Sequence, residues 1–95
     1  LSSEEVVIMD GDAIVAGMTS SKAIDSKSDL NGKVTNKGDV RIWAGEISNA
    51  NLTTAPFTVT NTGNLTAHTA TLYDATFYAT NANVKITNEL FTDVG

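Results

Sequence analysis

The apolar positions of this chain come in short runs that end at turn residues. EEVVIM (4–9) and AIVAG (13–17) flank a DGD tripeptide. Two brief apolar runs joined by a Gly-centred turn predict a β-hairpin within residues 1–18. Ser2 and Glu5 offer a rival reading, a capping box opening a short helix. Val6, Val7 and Ile8 are poor helix formers and favour the hairpin. Residues 19–38 (TSSKAIDSKSDLNGKVTNKG) are polar, contain two glycines and predict a loop or insertion, the part of the chain least constrained by a core.

Residues 39–67 predict the best-ordered part. DVRIWAG alternates, with Val40 and Ile42 on one face and Arg41 and Trp43 on the other, as a strand requires. Pro56 fixes its own φ and pushes Ala55 toward extended geometry, so Phe57 and Val59 enter a strand on a common face. A turn at Asn61–Asn64, with Gly63 free to take positive φ, closes a hairpin whose Leu65 and Ala67 are expected to face the core. Residues 68–95 change character. ATLYD (70–74), ATFYA (75–79) and TNANV (80–84) repeat at a five-residue spacing that aligns Leu72, Phe77 and Ala82. Such a short period predicts stacked β rungs, each burying its apolar residue against a neighbouring rung or chain. Val84 and Ile86 form a last alternating pair before the end of the chain.

Composition sharpens this into an all-β reading. The 95 residues allow one domain, and 14 Thr and 9 Asn go with β-branched stiffness and turns. Leu, Ile, Val and Phe number only 23, a thin supply of large side chains for a lone domain of this size. No Cys is present for disulfides or thiolate metal sites, and one His cannot form an imidazole cluster, so oligomerisation is the expected supplement. A net charge of −5 with no basic run argues against nucleic acid as a partner. No apolar stretch approaches the roughly 18–20 residues of a membrane-spanning helix, so a membrane is not an expected partner either. The chain starts at Leu1 and is expected to be part of a longer polypeptide.

Candidate chemistry is sparse. His68 could meet its own copies on a symmetry axis but reads first as a surface or interface side chain. Asp25, Asp29, Asn31 and Gly32 superficially suggest a calcium loop, yet an EF-hand register would put Lys27 at the first ligand and Gly38 at the twelfth, which fails. The 11 carboxylates show no paired context of the glycosidase kind, and no G-x-S-x-G elbow occurs. No catalytic residue, cofactor site or metal site is therefore assigned. Trp43 reads as a core anchor. Tyr73 and Tyr78 could stack on sugar rings and are candidate receptor contacts.

The order RIWAG (41–45), APFTV (55–59) and NTGNLTAHTATL (61–72), preceded by GDAIVAG (11–17), resembles a module of bacteriophage and prophage tail fibre or minor tail structural proteins. The match covers over half the chain. It departs from the family's pattern after residue 72, where Gly-rich repeats give way to Tyr73, Asp74 and Phe77 to Ala79. The resemblance implies short hairpins leading into a β-helical or β-prism-like stalk in an intertwined homotrimer. It also implies other tail proteins as partners, location in the virion, and support of host attachment. Phe57, Val59, Leu65 and Leu72, with Trp43 and Phe77, are the expected core or trimer contacts. Open alternatives are a receptor-binding module contacting a bacterial surface glycan or protein, and a fragment of an extracellular or cell-surface adhesin.

Overall fold

The computed structural model describes residues 4–20, 30, 33–78 and 80. Expectations resting on Asp25, Asp29, Asn31, Gly32, Ala82, Val84 and Ile86 lie outside these residues. The described chain forms one five-stranded antiparallel sheet in sequence order, β1 (Glu5–Asp10), β2 (Ala13–Thr19), β3 (Val40–Ala44), β4 (Phe57–Thr60) and β5 (Leu65–Ala67). A short 3-10 turn, Leu52–Thr54, precedes β4. The all-β class stands, and at residues 5–19 the hairpin prevails over the short helix.

Two turns obey local chemistry. Gly11 and Asp12 connect β1 to β2. Gly63, at φ 83°, lets its N–H donate to the Thr60 carbonyl, while the Asn64 N–H donates to Thr60 Oγ1. Glycine's freedom is used here, because an L side chain resists this φ.

The strands are not regular alternators. Opposite Ile8 and Met9 of β1, strand β2 pairs through Ala16 and then Ile14, so Val15 is an extra residue. In β3, Val40 pairs with Thr60 and Ile42 with the adjacent Val59, so Arg41 is extra. Each irregularity is a β-bulge, which resets the in-out alternation by one position. The expectation that Val40 shares a face with Ile42, opposite Trp43, is therefore corrected. Val40 and Trp43 are both buried in the core, while Ile42 is exposed. Asn36 makes the bulge tolerable. Its carboxamide accepts from the Val40 N–H at 2.8 Å and donates to the Val40 carbonyl at 3.0 Å, in place of a missing strand. A buried backbone amide without such a partner would cost about 1–3 kcal/mol.

The core lies on one side of the sheet. Trp43 packs with Val40 from the sheet, with Leu30 and Val34 from the connection between β2 and β3, and with Leu52 and Ala55 from that between β3 and β4. Residues 19–38, expected to be the part least constrained by a core, nonetheless contribute to it in their described part, since Leu30, Val34 and Asn36 are all buried. Backbone bonds hold this cover in place. Thr35 N–H donates to the Ala50 carbonyl at 2.7 Å and Leu52 N–H to the Thr35 carbonyl at 3.0 Å. Asn51 caps the 3-10 turn, its Oδ1 accepting from the Thr53 N–H and hydroxyl.

Candidate interaction surface

The antiparallel register defines what each side of the sheet offers. On the covered side, Val7, Gly17, Trp43, Thr58 and Thr66 run as one row across the five strands. Its tightest point is Gly17, where an added Cβ would stand 2.4 Å from Trp43 Cη2 and 2.6 Å from the Val6 carbonyl oxygen. The absence of a side chain there lets the indole approach the β2 backbone closely. Trp43 is 1% exposed, and its Nε1–H has no hydrogen-bond partner among the described residues.

The opposite side carries two rows. Val6, Met18, Ile42, Val59 and Leu65 make one, crossing every strand edge to edge. Ile8, Ala16, Ala44, Phe57 and Ala67 make the other, two residues along each strand. All ten are apolar. Phe57 and Val59 are half-buried, whereas Ile8, Met18, Ile42 and Leu65 are exposed. Glu4, Glu5 and Arg41 line a shallow depression beside Val6, Met18 and Ile42, giving this apolar side a charged margin. Arg41 is itself held by an ion pair with Asp39.

Beyond β5 the chain leaves the sheet. Residues 68–78 form no strand or helix, and each is exposed. The five-residue spacing of Leu72 and Phe77 is thus not accompanied by paired rungs among the described residues. Tyr73 and Tyr78 are 87% and 89% exposed. This segment is tied to the sheet where His68 N–H donates to the Pro56 carbonyl at 3.0 Å. His68 is exposed.

The expected contact residues are therefore divided three ways. Trp43 is the centre of the chain's own core. Phe57, Val59 and Leu65 do share one face, but it is the side opposite Trp43, so the expectation that Leu65 and Ala67 point into the core is corrected. The bulge in β3 sets this outcome: with Val40 and Trp43 together on the covered side, Ile42 and its partners Val59 and Leu65 fall on the other. Leu72 and Phe77 belong to the exposed segment and contribute to no core among the described residues. Sequence reasoning misses Val6, Ile8, Met18 and Ile42 as members of the surface. Their signal is present in β1 and β2, where apolar residues fill both parities of the strand, as happens when both faces of a sheet meet apolar surroundings.

A second concavity, about 360 Å³ in volume, lies at the covered side between the β1–β2 turn and the loops after β2 and β3. Met9, Ile14, Val34 and Ile47 give it apolar walls, and Asp12, Lys33 and Glu46 stand at it. Among the described residues, no group of three His, Cys, Asp or Glu is placed to hold a metal ion, and no helix is long and apolar enough to cross a membrane. No protein-family model, curated protein or solved structure matches the chain.

Proposed function

We propose that this chain is a structural module of a bacteriophage or prophage tail fibre or related tail protein, assembled as a homotrimer and supporting host attachment. One observation carries the self-assembly in this reading. A ten-residue apolar face spans all five strands and has nothing over it within the described chain. A β-sheet buries its apolar face against another layer. Copies of the same chain supply that layer without any other component. The ordered RIWAG, APFTV and NTGNLTA motifs support placing the module in a tail, where its role is geometric: a stiff shared β-structure that displays attachment sites in several copies and so raises avidity. The β-helical or β-prism-like stalk belongs to this proposal and would be completed by residues after 68.

Sedimentation equilibrium of the whole chain tests it. A trimer stable to dilution is the expected result, and a folded monomer of 10.0 kDa at all concentrations would overturn it.

A second reading rests on Tyr73 and Tyr78, whose rings stand almost wholly in solvent. Exposed aromatic rings suit the apolar faces of sugars, which fits a module that itself contacts a bacterial surface glycan or protein, in a tail or in a surface adhesin. Saturable binding on a glycan array that disappears in Tyr78→Ala favours this reading. Absence of binding in both proteins favours the scaffold.

A further inference from the structure

We infer that the segment 68–78 of one copy lies across the bare apolar face of another copy. The inference rests on the self-assembly proposed above and specifies its geometry. Both surfaces need cover, and both are on every chain. The face presents Met18, Ile42 and Leu65 to solvent; the segment presents Leu72, Phe77 and Tyr78. The two rows contain no charged residue, and Asp74 is the one acid of residues 68–78, so the contact itself brings few like charges together on a chain of net charge −5.

Reach and area favour this pairing over a face stacked on a face. Five strands spaced about 4.8 Å apart present a face roughly 24 Å wide. Eleven residues can extend to at most about 36 Å, enough to cross it. Two rows across that width amount to roughly 300 Å² per face, so face on face buries only about 600 Å² in total, short of the roughly 1,000 Å² at which association becomes specific. It would also leave both segments bare. With segment on face, every chain makes two contacts, one giving and one receiving, so each chain buries about twice the area that face on face would, and three copies in a ring bury roughly 1,800 Å² in total. The contact is heterologous, so it closes into a ring of copies when the rotation between them allows.

The absence of cysteine makes a direct test clean. Ile42→Cys and Phe77→Cys chains carrying different tags are co-expressed, purified as assemblies and mildly oxidised. A mixed disulfide between the two variants, exceeding either self-linked product, is the expected result. A predominance of Ile42→Cys self-linking, with no mixed product, would overturn the inference while leaving self-assembly standing. An unmodified chain that sediments as a monomer would overturn both. As a second measurement, Phe77→Ser with Tyr78→Ser should weaken assembly by roughly tenfold or more while far-ultraviolet circular dichroism stays unchanged, because neither ring contributes to the chain's own core. Assembly at unaltered strength in that variant also overturns the inference.

Discussion

The two sides of this sheet are built from the same strands and differ in their cover. On the Trp43 side, the β2–β3 and β3–β4 connections fold over and bring Leu30, Val34, Leu52 and Ala55 onto the indole. On the Ile42 side no connection crosses within the described residues, although the ten positions there are all apolar. Apolar character alone does not mark the core of a β-layer; the overlying loops do. The first side holds the chain together, and the second is available for assembly.

Substitutions that separate the two sides have graded effects. Trp43→Ala is expected to cost about 3–5 kcal/mol, removing the largest buried side chain and leaving a cavity, and urea unfolding of the chain measures it. Gly17→Ala acts on the same row by the opposite means. Its Cβ would overlap the indole and a β1 carbonyl, so a loss of about 1–3 kcal/mol is expected in the same assay. Asn36→Ala strips both hydrogen bonds from Val40 and should lower stability by about 2 kcal/mol, with earlier amide exchange at Val40. Ile42→Thr, on the other side of the same strand, should change the stability of the dilute chain by less than about 0.5 kcal/mol yet weaken self-association measured by sedimentation. If Ile42→Thr unfolds the chain as Trp43→Ala does, the division between the sides is wrong.

How much the sequence discloses depends on how local each signal is. The hairpin at Asp10–Asp12, the strand entry after Pro56 and the Gly63 turn depend on a few neighbouring residues, and each is found where expected. The bulges depend on the register between strands, not on a pattern within one strand. Nothing near Val40 announces that Asn36 will satisfy its backbone, so strict alternation assigns Val40 and Ile42 to one face and Leu65 to the core. The buried roles of Leu30 and Val34 are hidden for a similar reason, since a polar loop with isolated apolar residues has no periodicity to read. The apolar surface is half legible. Phe57, Val59 and Leu65 group correctly, but their extension through Ile42, Met18 and Val6 requires the register of four strand pairs.

The placement of the aromatic side chains has a spectroscopic consequence. The chain has one tryptophan, sealed under the loops, and two tyrosines, both in the exposed segment after β5. Indole emission therefore reports the interior of a single chain, and phenol absorbance reports the segment outside it. Loss of assembly should alter the tyrosine signal while the tryptophan spectrum holds its blue position, and unfolding should shift the tryptophan to the red. The protein carries two native optical probes, one for folding and one for the proposed joining of copies, and no label is needed to tell the events apart.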